Sequence, residues 1–302
     1  MRRMTTLTAV LIAMVLAGTP ATAAETKPLP VPYNFLPAAI LGGLPNASAP
    51  GTNDWTCKPS TAHPRPVVLV HGTLGNRATN WQTYGPLLKN NGYCVFALTY
   101  GALPAPYPLN ALAGLGSMRD SAKQLQVFVD RVLTSTGAGK VDIIGHSQGT
   151  LMPTYYLKFL GGADKVHNHI SLAPLWHGTE ILPPQLTSIL GIGASSVPVC
   201  VACGEFDPSS SFMQEIRKGG VAVEGVRYLN IVTKYDELVR PYTSGIEEGM
   251  TNVVLQDSCK LNYTEHFQIA ADRNATLHVL NFLDPANPRP LRCTLTLPFV
   301  GP

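Results

Sequence analysis

Two hydrophobic periods alternate along this chain. Short, largely apolar runs stand at 67–70, 93–100, 141–144, 170–173, 226–232 and 252–256, bounded by Gly, Pro or polar residues. Val-rich and Ile-rich runs without a polar face are expected for strands buried on both sides of a parallel sheet. Between them the period lengthens. In 118–133, Ala122, Leu125, Phe128, Val129 and Val132 follow the three- and four-residue spacing of one buried helical face, with Ser117 opening the helix. Further helices are expected at 81–90, 150–160 and 275–283, the third of these four closed by Gly161-Gly162. Strand, helix, strand in this rhythm predicts an α/β chain with a mostly parallel sheet built from βαβ units. Three stretches break it. Residues 25–62 are rich in Pro, Gly, Ala and Asn and read as an extended segment laid over the surface. Residues 101–116 are a Pro- and Gly-rich loop. In 176–199, Ile181, Leu182, Leu186 and Ile189 sit among Gly, Pro and Ser with few charges, as in packed loop or in a movable cover over an apolar site.

One junction carries chemistry. The run 141–144 leads into Gly145-His146-Ser147-Gln148-Gly149, a G-x-S-x-G between an apolar strand and a helix. That context describes a nucleophile elbow, in which a sharp turn lifts the serine hydroxyl clear of the sheet. The flanking glycines let neighbouring backbone approach. The helix starting beneath Ser147 directs its positive end at any charge that develops there.

A serine nucleophile needs a base, and the base needs an acid to orient it. Strand–turn–helix serine hydrolases meet these partners in the order Ser, acid, His. Asp236, just past the strand 226–232, is the expected acid, with Asp207 its rival. Two histidines follow the acid: His278 falls within a helical pattern, whereas His266 falls in a polar loop and is the expected base. The strand 67–70 runs into His71-Gly72-Thr73, so the N–H groups of Thr73 and Gln148 are the expected oxyanion donors. His71 is read as a brace for this loop, and His146 as a neighbour of the nucleophile that is not its base. The chemistry is acyl transfer, with no metal or organic cofactor expected.

Composition narrows the setting. The chain has 302 residues, 45% of them hydrophobic, enough for a substantial core in one domain over 25–302. Net charge is +3, and Arg2 and Arg3 account for two of those charges. No basic cluster suggests a nucleic-acid partner. Arg2-Arg3, the apolar run 7–16 and Ala21-Thr22-Ala23 have the three parts of a secretory leader, expected to be cleaved near Ala23 or Ala24 so that 1–24 is removed. No later stretch suggests a transmembrane helix, so a secreted, extracellular protein is expected, with its oligomeric state open. Six cysteines suit that compartment. Proximity suggests Cys57 with Cys94, Cys200 with Cys203 and Cys259 with Cys293, and the C-x-x-C at 200–203 falls in a loop-like region. Asn46, Asn262 and Asn274 begin sequon-like triplets.

The chain resembles the secreted bacterial triacylglycerol lipases of the α/β-hydrolase fold, the class 2 lipases, over roughly 30–285. The likeness rests on Val68-Leu69-Val70-His71-Gly72-Thr73, on Phe128 to Val132 and on Val141 to Gly149. It continues in Phe159 to Ala163, Leu172-Ala173-Pro174, His177-Gly178-Thr179, Tyr235-Asp236 and Pro241-Tyr242. It implies extracellular hydrolysis of acylglycerols or similar esters, with Ser147, Asp236 and His266 as the triad. Thr150 departs from the pattern, since many relatives carry another small residue there, often Gly. A polyester or cutin hydrolase and an acyltransferase would use the same triad. A catalytically dead binding module would usually lack one of its members.

Overall fold

The computed structural model describes residues 27–42, 47–104, 106, 109–179 and 200–302. The expected leader 1–24, Asn46 and the 180–199 part of the possible cover lie outside the described residues.

Six strands form one parallel sheet: β1 (Val67–Val70), β2 (Val95–Leu98), β3 (Val141–His146), β4 (Val166–Leu172), β5 (Arg227–Val232) and β6 (Thr251–Val254), in the order β2-β1-β3-β4-β5-β6. Both neighbours of β1 run parallel to it, Val67 lying opposite Val95 of β2 and Asp142 of β3. The strand order reverses beside β1, and in open α/β sheets the crevice at the carboxyl ends of such strands is where ligands bind.

Alternate residues of each strand enter two cores. Val68, Val70, Phe96, Val141 and Ile143 pack on one face with α3 (Met118–Thr136) and α4 (Gln148–Phe159). Val67, Leu69, Val95, Ile144 and Ile170 pack on the other with α2 (Tyr84–Asn90) and a long C-terminal helix, Arg273–Leu283. Burying each large aliphatic side chain contributes about 1.5–3 kcal/mol, so the two faces dominate the folding energy. Helix α3 has the expected boundaries and caps: the Ser117 hydroxyl accepts from the Arg119 N–H, and Gly137 closes the helix at φ 76°. One buried strand position is charged. Asp142 is buried in β3, where its carboxylate faces Arg65 Nε at 3.1 and 3.2 Å and accepts the Asn168 N–H at 3.1 Å. Burial pushes it up to about 6 against the pull of Arg65.

Three local expectations are corrected. Residues 25–62 are not extended throughout, since Phe35–Gly42 forms a helix, α1. Its sequence is apolar on every face and so has no helical period, and Pro37 is tolerated because it lies in the first turn. The loop-like 200–203 belongs to a short helix, α5 (Val201–Glu205), followed by α6 (Ser211–Arg217). The run 252–256 splits, because β6 ends at Val254 and α7 (Leu255–Ser258) follows directly; the C-terminal helix Arg273–Leu283 is then α8.

The three disulfides are Cys57–Cys94, Cys200–Cys203 and Cys259–Cys293, as proximity suggested. The last ties the C-terminal tail to the segment after α7. The Tyr263 N–H donates to Thr296 O at 2.9 Å, and the Leu36 N–H of α1 donates to Phe299 O at 3.4 Å. Helix α1 and the C-terminal tail therefore meet beside the loop that carries His266. Among the described residues, no helix is long and apolar enough to cross a membrane.

Candidate active site

Ser147 stands between β3 and α4 at φ 54° and ψ −124°, a conformation that non-glycine residues avoid. Its neighbours make that turn possible. A Cβ on Gly145 would collide with the carbonyl oxygen of Gly149, and one on Gly149 with that of Val70. Pro153 lies inside α4 and has no N–H to offer the Gly149 carbonyl four residues back. The Ser147 N–H donates to Leu172 O of β4 at 2.9 Å. Thr150, the departure from the family pattern, has a buried hydroxyl that donates to Ser147 O at 2.8 Å, so it fastens the elbow.

Asp236 follows β5 in a turn. Its Oδ1 accepts the N–H groups of Leu238 (3.0 Å) and Val239 (2.7 Å), and the carboxylate lies 2.9 and 3.0 Å from His266 Nδ1. Both side chains are almost wholly buried. A carboxylate at Nδ1 holds the proton there and leaves Nε2 to act as an acceptor. Burial alone would lower the His266 pKa, but the charge and hydrogen bond of Asp236, followed by the charges of Glu237 and Glu265, raise it above the ordinary imidazole value. Asp207, the rival acid, is exposed and accepts the N–H and hydroxyl of Ser209 in a surface turn. His278 lies on α8, away from these groups.

Ser147 and His266 line one apolar cavity of about 470 Å³, together with Gly72, Thr73 and His146. Its walls come from α1 (Phe35, Ala39), from Leu74, from Cys203 and Phe206 beside the Cys200–Cys203 bridge, and from Leu238 and Val239 past the acid. Thr179, the last described residue before 180–199, also lines it. Among the described residues, the Thr73 N–H has no acceptor, and the Gln148 N–H opens α4, whose leading amides lack intrahelical partners. The two residues are tied directly, with Thr73 Oγ1 donating to Gln148 Oε1 at 2.8 Å. The loop bearing Thr73 is strapped to 111–114 by the Leu74 N–H, which donates to Ala113 O at 2.8 Å.

His71 and His146 are buried and serve as braces. The His71 ring stacks on Tyr100 with centroids 4.2 Å apart. Its Nε2 accepts the Tyr100 N–H and its Nδ1 faces Gly72 O at 2.8 Å, which fits a neutral ring. Burial lowers its pKa to about 4. His146 bridges two loops: Nε2 lies 2.8 Å from His266 O, and Nδ1 lies 3.1 Å from Asn80 Oδ1, which also accepts the Gly72 N–H at 3.2 Å. The residue before Ser147 thus connects the loop of His266 to the loop of Thr73.

Sequence reasoning missed Asn80, Glu237 and Glu265. Glu237 Oε2 accepts the His266 N–H at 3.1 Å. Glu265 accepts the N–H groups of Phe267 (2.6 Å), Gln268 (2.8 Å) and Phe299 (3.0 Å). Glu237 and Glu265 adjoin Asp236 and His266 in sequence, which is the only signal they offered. Asn80 lies 66 residues before His146 and offered none.

Known proteins resemble this chain in sequence and in fold. The family model described as Lipase (class 2) matches residues 64–278. A triacylglycerol lipase of Burkholderia plantarii is 32% identical over 125 residues, covering 40% of this chain and 32% of that protein. A triacylglycerol lipase of Pseudarthrobacter phenanthrenivorans is 35% identical over 95 residues, 30% of this chain and 27% of that protein. The matched stretch thus spans about a third or less of these relatives' lengths. Among solved structures, Aspergillus fumigatus lipase B superposes with a TM-score of 0.58 at 19% identity, over 81% of this chain and 56% of that one. The mature form of Bacillus licheniformis lipase BlEst2 gives 0.53 at 16% identity, over 74% and 92%. These likenesses identify the fold as that of the α/β-hydrolases. The family match begins just before β1, ends within α8 and takes in Thr73, Ser147, Gln148, Asp236 and His266, so the chain belongs to the class 2 lipase family.

Proposed function

We propose that this protein is an exported serine hydrolase of carboxylic esters, acylglycerols foremost, using Ser147, His266 and Asp236 with the N–H groups of Thr73 and Gln148. One observation carries this reading: Ser147, on a strained turn, and His266, oriented by Asp236, border the same apolar cavity. An apolar wall suits an acyl chain, and the three disulfides suit an oxidising compartment.

In the first half-reaction His266 Nε2 takes the Ser147 proton as Oγ bonds to the ester carbonyl carbon. The carbonyl electron pair moves onto oxygen, where the N–H groups of Thr73 and Gln148 receive it. Losing one such donor costs about 10²–10³-fold in rate. The intermediate collapses, the ester C–O bond breaks, and His266 gives its proton to the departing alcohol. A water deprotonated by His266 then attacks the acyl-enzyme, and the acid leaves as Ser147 regains its proton. Asp236 holds the ring in place and stabilises the imidazolium.

The test is labelling with an organophosphate followed by peptide mapping, alongside hydrolysis of p-nitrophenyl esters of graded chain length and of emulsified triacylglycerol. Label is expected on Ser147 alone, with both label and hydrolysis lost in Ser147→Ala. Label on another residue, or hydrolysis that survives the substitution, would sink the proposal. Faster turnover of an insoluble polyester than of acylglycerol would reassign the substrate but keep the chemistry.

A further inference from the structure

A second cleft, of about 350 Å³, lies between α8, the C-terminal tail, Leu87 of α2 and Tyr33. Arg273, Arg289 and Arg292 line it, and no carboxylate does. Two asparagines of α8 bring the tail arginines there. Asn281 Oδ1 accepts the Arg289 N–H at 2.7 Å, and its Nδ2 donates to Arg289 O at 2.9 Å. Asn274 Oδ1 accepts the Arg292 N–H at 3.2 Å. With the tail clipped to the helix in this way, both arginines join Arg273, whose guanidinium lies over the Tyr33 ring, 4.1 Å from its centroid.

Among the described residues, none of the three forms an ion pair. Arg289 Nη2 donates to the neutral Asn91 Oδ1 at 2.8 Å, while its Nη1 is buried and has no partner. The nearby acids are engaged elsewhere. Asp272 accepts from Asn262, Thr264 and the Ala275 N–H, and Asp284 accepts from Asn287. Like charges gathered without a counter-charge repel one another, and a buried donor without an acceptor carries a desolvation cost. An anion in the cleft removes both penalties. Apart from Thr276, the rest of the lining, Tyr33, Leu87, Leu277, Leu280 and Pro290, is apolar or aromatic.

We propose that this cleft binds an anionic amphiphile, with a carboxylate or phosphate head among the three guanidinium groups and the alkyl chain along the leucines. Guanidinium groups pair with both heads through two parallel N–H bonds. The head could belong to a free fatty carboxylate, which the proposed hydrolysis would release, or to an anionic bilayer lipid. Only the first source rests on the proposed function.

The test is titration in a Ser147→Ala background, where no turnover is needed and a failure here leaves the hydrolase reading untouched. The probes are decanoate, decyl phosphate, inorganic phosphate, decanol, and vesicles of phosphatidylglycerol or phosphatidylcholine. Decanoate and decyl phosphate are expected to bind in a salt-sensitive way. Arg273→Gln/Arg292→Gln should weaken both by roughly tenfold or more, and decanol binding in the substrate cavity should not change. The exposed single variant Arg292→Gln guards against a folding defect, as does an unchanged melting temperature in the double variant. Loss of phosphatidylglycerol vesicle binding in the same variants, with free decanoate unaffected, would assign the head to a bilayer lipid. Equal affinity for both amphiphiles and both vesicle types in the parent and the double variant would overturn the proposal. Inorganic phosphate binding as tightly as decyl phosphate would overturn its amphiphile part.

Discussion

At the scale of single residues, the environment of His266 sets the pH behaviour. Asp236, Glu237 and Glu265 all favour its imidazolium and raise its pKa above the model-peptide value of about 6.5. A general base must be neutral, so kcat/KM should fall on the acid side of a limb lying above that value. Glu237→Gln keeps an oxygen to accept the His266 N–H but removes a negative charge. The imidazolium then loses support, the pKa falls, and the limb should move toward acid. A pH–rate profile of the variant that overlays the parent's would count against this role. Asn80 offers a second test. Asn80→Leu strips the acceptor from the Gly72 N–H and the partner from His146. It should cost about 1–3 kcal/mol in stability and lower kcat more than it raises KM, because it loosens the loop that carries Thr73. Urea unfolding and steady-state kinetics on short esters check both halves.

At the scale of elements, the elbow works because its two glycines are required by contact and not by flexibility alone. Gly149→Ala presses a methyl group into the Val70 carbonyl at the centre of the sheet. Gly137 also ends an element, at φ 76°, but a Cβ there meets nothing within 4 Å. Gly137→Ala should therefore cost only the left-handed strain of about 1 kcal/mol. Gly149→Ala should cost about 3 kcal/mol or more and abolish ester hydrolysis. Thermal unfolding of the two variants side by side makes the comparison, and similar losses would show that conformation, not collision, governs the elbow. Helix α1 makes the opposite point. Its Phe35 and Ala39 line the apolar cavity beside Ser147, yet its uniformly apolar sequence has no helical signature. It is held from outside, where the Phe35 N–H donates to Gln268 Oε1 at 2.9 Å and the C-terminal tail meets Leu36.

At the scale of the whole molecule, buried neutral histidines link stability to pH. His71, His146 and His169 are fully buried, and burial lowers them to about 4, 3 and 3. Their folded pKa values lie below the unfolded value, so the stability they allow is complete above about pH 6.5. It declines as pH falls from there toward 3–4, because the unfolded chain takes up protons that the fold refuses. Asp142, raised to about 6, and Glu205 and Glu265, also raised by burial, work in the opposite sense, against five lowered histidines once the partly buried His167 and His278 join the three. His266 adds stability that is already complete below pH 6.5 and is lost only as pH rises through its own pKa. Melting temperature should therefore drop between pH 6.5 and 4. In His169→Phe, which removes a ring with no hydrogen-bond partner, the unfolding free energy should fall less steeply over that range, by up to about 1.4 kcal/mol per pH unit. A melting temperature flat across that range would contradict the assignment.

What the chain alone determined follows from local rules. Apolar runs and a three- and four-residue period define the parallel strands and α3, and G-x-S-x-G at a strand end defines the elbow with its backbone conformation. Chain order after Ser147 singles out Asp236 and His266 as the candidate acid and base, because few polar loops follow the right strands. Such features depend on a residue and its near neighbours, which a linear pattern records. Tertiary structure decided the rest. Asn80 and His146 lie 66 residues apart and meet only because β1 and β3 are adjacent. Glu265 is a site residue because the tail brings the Phe299 N–H to it, and Arg273, Arg289 and Arg292 form a cleft only once Asn274 and Asn281 clip that tail to α8. In each case the function comes from a hydrogen bond or charge between distant segments, and their meeting is a property of the packed sheet and not of any stretch of sequence. The strained Ser147 belongs to both: its motif is local, but the carbonyl of Val70 that makes Gly149 necessary comes from another strand.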